Sequence, residues 1–235
     1  MGKMKGSFIL FLLINILAIN GNSQQKDTAN YFEGYVEFKT EFKSLMPEVS
    51  DNELRDRIGH TLKIYYKEEY VKWIFSDDLG YIKSYLIMNG KESIRYDWSD
   101  DSPDTIYTYN LRDGKRTILD SMKNDGNQIV LGCNCETGKF FASNFYEGYN
   151  IPIPTVYKYS FCPAYRLNPE WTKNNNSMSW NKIVEKYKSI MLKIESYFEH
   201  SFSANFTATK VIIAKNDPSI FVIDKTKIIK PTFID

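Results

Sequence analysis

The chain has 235 residues, 43% apolar and 25% charged, the profile of a globular protein, which excludes wholesale disorder. Its 30 Lys and Arg nearly balance 29 Asp and Glu, and a net charge of +1 gives no long-range field to recruit nucleic acid or an anionic membrane. Aromatic residues are abundant, with 17 Tyr, 15 Phe and 4 Trp, and such side chains favour strands. They predict either a thick aromatic core or an aromatic-lined cavity or carbohydrate platform.

The N-terminus sets the compartment. Lys3 and Lys5 form a short positive region, Phe8–Ile19 is an apolar run, and Gly21 and Ser23 supply small residues ahead of Gln24. The run is too short for a comfortable transmembrane helix. Residues 1–23 therefore read as a cleaved signal peptide, and 24–235 as a single exported domain. The competing reading is an uncleaved anchor. No later apolar run is long enough to span a bilayer.

In Tyr35–Lys43, Val36, Phe38, Thr40 and Phe42 alternate with Glu37, Lys39 and Glu41, the period of a half-buried strand. Ser50 with Glu53 forms a capping box ahead of Leu54 and Ile58, and Gly59 stops a short surface helix. Strands follow at Thr61–Lys67, Tyr70–Phe75, Tyr81–Met88, Ser93–Trp98, Thr105–Leu111, Lys115–Leu119, Gln128–Leu131, Lys139–Asn144 and Thr155–Phe161. Asn89-Gly90 and Arg112-Asp113-Gly114 read as hairpin turns; Glu147-Gly148 and Pro152/Pro154 read as loop or edge. Trp180, Ile183, Val184 and Tyr187 recur at helical spacing and predict a second amphipathic helix over Ser179–Lys188. Strands at Met191–Glu199, Ala204–Ala214 and Ile220–Ile223, with an edge or frayed tail over Lys225–Asp235, complete an antiparallel meander.

The familiar catalytic patterns GxSxG, HExxH, GxxxxGK[ST] and GxGxxG are absent. His60 and His200 have no patterned partner and read as surface or strand-end residues. Asp77-Asp78 and Asp100-Asp101 read as solvated turn carboxylates. The acidic run Asp97–Asp104 offers hard oxygen donors for Ca²⁺, but without EF-hand spacing. Thr28, Thr105 and Ser121 each follow an Asp in short patterns that fit bacterial O-glycosylation. Export implies an oxidising compartment for Cys133, Cys135 and Cys162. Cys133 and Cys135 are too close for a CxxC motif. A disulfide from either of them to Cys162 would close a loop of about thirty residues and contribute ~3 kcal/mol. A metal site is the competing use of these cysteines.

Several segments carry a family resemblance. Ile129–Cys135 (IVLGCNC), Asn168–Trp171 (NPEW), Trp180–Lys188 (WNKIVEKYK), Ile190–Glu195 (IMLKIE) and Phe32–Lys43 (FEGYVEFKTEFK) resemble GLPGLI-type and DUF4412-like exported proteins of Gram-negative bacteria. Those are similar in fold to the outer-membrane lipoprotein carrier (LolA-like) superfamily. Two features depart from the pattern: the GLPGLI hexapeptide is absent, and Cys133 stands where an aromatic is usual. The resemblance implies a mainly β fold, a curved antiparallel half-barrel with one or two short helices on its concave side. It also implies a Cys135–Cys162 disulfide and a periplasmic or extracellular location.

The resulting expectation is a non-enzymatic exported binding protein, holding a lipid or lipidated partner on the concave face. Val36, Phe38, Trp73, Phe75, Trp180, Ile183, Val184 and Tyr187 would line that site. The alternative is an envelope interaction or structural protein with a plugged core, acting through its surface. No cofactor, metal ligand or nucleic-acid partner is expected.

Overall fold

The computed structural model describes residues 31–113, 117–145 and 152–232. The expected signal peptide, Thr28 and the expected Glu147-Gly148 loop lie outside them. The strands are β1 (Gly34–Ser44), β2 (Thr61–Lys67), β3 (Tyr70–Ser76), β4 (Ile82–Asn89), β5 (Ile94–Ser99) and β6 (Thr105–Asn110). They continue with β7 (Thr117–Val130), β8 (Cys133–Asn144), β9 (Ile153–Arg166), β10 (Ser189–Phe198), β11 (Phe202–Ile213) and β12 (Ile228–Pro231). Among the described residues the α-helices are α1 (Asp51–Ile58) and α2 (Trp180–Tyr187). The strands form one open, curved sheet in the order β12-β6-β5-β4-β3-β2-β1-β11-β10-β9-β8-β7. Every pairing is antiparallel except β12 with β6, which is parallel. The mainly β expectation holds.

Local chemistry explains much of this. Ser50 caps α1 by accepting a hydrogen bond from the Glu53 amide at 3.1 Å, and the Gly59 amide closes the last turn on the Arg55 carbonyl. Alternation in β1 buries Val36, Phe38 and Thr40. Register then aligns the inward rows across strands: Val36, Ile64, Trp73 and Leu86 form one, and Phe38, Leu62 and Phe75 another. These rows supply a continuous apolar surface along β1 to β4.

Three expectations need correction. The strands on either side of Arg112-Asp113-Gly114, whose glycine lies outside the described residues, do not pair as a hairpin: β6 pairs with β5 and β12, whereas β7 pairs with β8 at the opposite edge of the sheet order. Turn residues permit a reversal, but pairing is decided by long-range partners. The described part of the expected strand Lys115–Leu119 and the expected strand Gln128–Leu131 belong, over Thr117–Val130, to one strand, β7. Asp125-Gly126 is absorbed as an irregularity between Asn124 and Asn127, with Gly126 at φ 82° and its amide bonded to the Asn124 side chain at 2.8 Å. Ile220–Ile223 is not a strand. Pro218 lacks an amide donor, and Asp217 accepts from the Ser219 amide at 2.9 Å, which together start the 3-10 turn Pro218–Phe221.

Candidate binding site beneath the tryptophan helix

The sequence stripe on α2 becomes its docked face. Ile183, Val184 and Tyr187 are buried in the main core, and Trp180 packs against it. Trp180 stacks on Tyr159 of β9, with centroids 5.6 Å apart and planes 11° from parallel. Tyr187 stacks on Phe161 and meets the edge of Phe140. Gly138 of β8 leaves the room this needs, since a Cβ there would come within 2.7 Å of the Phe140 ring and would also strike the Tyr187 hydroxyl. The helix hangs between non-glycine residues in the left-handed region: Met178 (φ 53°) and Ser179 (φ 53°) before it, Lys188 (φ 51°) after it. Each such residue carries strain of about 1–3 kcal/mol, and strain of this kind clusters at segments that switch or clamp.

Under α2 lies a small apolar cavity. Its walls include Tyr66 of β2, Val71 and Trp73 of β3, Met88 of β4, Phe161 of β9 and Trp180. Its free volume is about 20 Å³, enough for about one water molecule. Two of these wall residues carry a polar atom that is buried without a hydrogen-bond partner, the Tyr66 hydroxyl and Trp73 Nε1. Burial pushes the Tyr66 hydroxyl well above the ordinary tyrosine range, so it stays protonated and available as a donor.

Of the eight expected lining residues, Trp73 and Trp180 border this cavity. Val36, Phe38, Ile183 and Val184 are buried in the solid core around it, and Phe75 packs on that core. Tyr187 borders a separate hollow of about 280 Å³ shared with Asn124, Asn127, Asn134 and Glu136. The sequence reading missed Tyr66, although its alternation with Leu62 and Ile64 marks it as inward-facing.

The disulfide expectation is corrected. The bond joins Cys133 to Cys162, with Cα atoms 6.1 Å apart, and Cys135 is the free, buried cysteine. Residues two apart on a strand point the same way, so Cys133 and Cys135 both face Cys162, and sequence alone does not separate them.

The remaining candidates find structural partners. His60 lies between the carboxylates of Asp56 (Nε2 to Oδ1, 2.8 Å) and Asp78 (Nδ1 to Oδ1, 2.5 Å), tying the end of α1 to the loop after β3. His200 is 91% exposed beside Glu199. Asp97 is paired with Arg95 and Asp100 with Lys83. Thr105 opens β6 and is half-buried, while Ser121 is exposed on β7. Among the described residues, no helix is long and apolar enough to cross a membrane.

No family model matches the sequence, and no curated protein matches it. Among solved structures, the chain is similar to a domain described as an outer-membrane lipoprotein-sorting protein domain from Vibrio parahaemolyticus. The identity is 6% and the TM-score 0.34, over 80% of this chain and 89% of that one. A likeness this low fixes neither fold nor ligand, so the GLPGLI-type resemblance rests on its short segments.

Proposed function

We propose that this is a non-enzymatic, exported binding protein that takes an apolar chain bearing a hydrogen-bond acceptor, such as the acyl ester of a lipid or lipidated partner, beneath α2. The reading is carried by the two unpartnered donors on residues that line the apolar cavity. A buried donor left unsatisfied costs about 1–3 kcal/mol. Tyr66 and Trp73, whose hydroxyl and Nε1 lack a partner, share the cavity wall with apolar residues that include Val71, Met88, Phe161 and Trp180, and with Ser189. A carbonyl oxygen on an aliphatic body would satisfy those donors and fill the same walls.

The cavity is closed in this form. Ligand sites for drug-sized molecules hold roughly 300–1,000 Å³, and 20 Å³ is far below that. Entry therefore requires α2 to lift. The helix has eight residues, flanked on both sides by left-handed residues whose strain would be released on opening. In this reading the Trp180 face is a gate.

The small volume also favours a second reading. A filled core with α2 as a permanent plug leaves the surface to act, as in an envelope interaction protein. One water molecule bridging Tyr66 and Trp73 would then satisfy both donors. Native mass spectrometry of protein purified from its own envelope, followed by lipid extraction, separates the two. An acyl species released on denaturation supports the gate. A clean apo mass that stays unchanged after incubation with phospholipid vesicles overturns it and leaves the plug.

A further inference from the structure

Three sulfurs are gathered at the start of β8 and the end of β9. Cys133 and Cys162 are bonded, and the free Sγ of Cys135 lies within 4.8 Å of both. The strand register explains the crowding. The last β8–β9 pair is Glu136 with Phe161, and one further step in that register sets Cys135 opposite Cys162. Cys162 thus has two sulfurs within reach on one face of β8, the bonded one diagonal to it and the free one across from it. The two cysteines of β8 differ in exposure. Cys135 is fully buried, at 0%, whereas Cys133 is half-buried.

We propose that Cys133, Cys135 and Cys162 form an exchangeable three-sulfur set that moves the free thiol from the fully buried position to the half-buried one. The Cys135 thiol gives its proton to water, and its thiolate attacks Cys162 Sγ. The Cys135–Cys162 bond forms as the Cys133–Cys162 bond breaks. Cys133 leaves as a thiolate and takes up a proton. One disulfide and one thiol are present before and after, so no oxidant or reductant is consumed. The product displays at Cys133 a thiol that a second thiol–disulfide couple can capture as a mixed disulfide.

Exchange is slow at neutral pH for a visible reason. The Cys135 thiol donates to the Cys133 carbonyl at 3.6 Å, and burial pushes its acidity down, so little thiolate is present. Below its pKa the thiolate fraction rises roughly tenfold per pH unit, and the exchange rate should follow.

The test uses the full chain with its disulfide intact, held natively with N-ethylmaleimide, and locates the label by fragment ions, because Cys133 and Cys135 share a tryptic peptide. The expected result is label on Cys133, accumulating roughly tenfold faster at pH 8 than at pH 7, and lost in Cys135→Ser. Label on Cys135, or no label, overturns the proposal. A second variant guards against slow trapping. Cys133→Ser should form the Cys135–Cys162 bond in oxidised glutathione. If both its thiols stay free, the two sulfurs cannot meet and the proposal fails.

Discussion

Phe161 of β9 and Tyr187 of α2 stack face to face, with ring centroids 4.1 Å apart and planes 8° from parallel. This contact fastens the end of α2 to the sheet, and it depends on Gly138. Tyr187→Ala should destabilise the protein by about 3 kcal/mol, through lost burial and lost stacking. Gly138→Ala should cost about 1–3 kcal/mol by driving a methyl group toward Tyr187 and Phe140. The double variant should lose less than the sum, because removing the tyrosine ring makes room for the new methyl. Urea unfolding of the four proteins checks this. Strict additivity would mean that Gly138 does not act through α2.

Tyr66 and Tyr159 are fully buried, and burial holds both hydroxyls protonated well past the ordinary tyrosine value of 10. Above that pH the unfolded chain has released these protons while the folded chain keeps them, so the unfolded state binds fewer protons and stability falls as pH rises. Each tyrosine should contribute a loss of about 1 kcal/mol per pH unit in that window. Tyr66→Phe removes an unpartnered hydroxyl, so it should be neutral or slightly stabilising at pH 7 and should flatten the alkaline loss. Unfolding curves from pH 9 to pH 11 would show it. An unchanged alkaline slope in Tyr66→Phe would mean that Tyr66 ionises freely in the folded state. The same substitution should weaken acyl-ligand retention if the gate reading is right.

What sequence could and could not reveal divides along physical lines. Period-2 alternation gave β1 and β2 nearly to the residue, because one face of each is buried and the other wet. Helical spacing placed α2 and its docked face for the same reason. Turn chemistry failed at Arg112-Asp113-Gly114, since a local reversal says nothing about whether β7 pairs with β6 or with β8. The cavity was half legible. Trp73 and Trp180 stood out as large aromatics, whereas its closure depends on how tightly α2 seats against Tyr159 and Phe161.

The disulfide joins residues 29 apart in sequence. In the chain-entropy account, closing a loop of that length stabilises the fold by about 3–4 kcal/mol. Cys162→Ser should therefore lower the urea midpoint substantially, while Cys133→Ser should lower it less wherever Cys135 can take over the bond. Equal losses in the two variants under oxidising conditions would show that Cys135 gives no rescue.

Asn216 is a small residue with a large structural role. It is buried, and its side-chain nitrogen donates to the carbonyl oxygens of Gly34 (2.9 Å) and Tyr66 (2.8 Å), on neighbouring strands β1 and β2. Its backbone amide donates to Glu33 Oε1 at 3.0 Å. The segment after β11 is thereby clamped over the strand ends that carry Tyr66 into the cavity wall. Asn216→Ala strips both carbonyls of their side-chain donor and should cost about 2–3 kcal/mol. Asn216→Asp should be worse at neutral pH, because a carboxylate can only accept and would face two acceptors. The two facing carbonyls raise the folded-state carboxyl pKa above the unfolded value of about 3.9, so its deficit relative to wild type should shrink as the pH falls from neutral toward about 4, where the protonated carboxyl can donate again, and change no further below it. Urea unfolding of both variants at pH 7 and pH 3.5 measures the difference. A deficit for Asn216→Asp that does not depend on pH would show that the side chain turns away from the carbonyls, and that the clamp is held by the Glu33 contact instead.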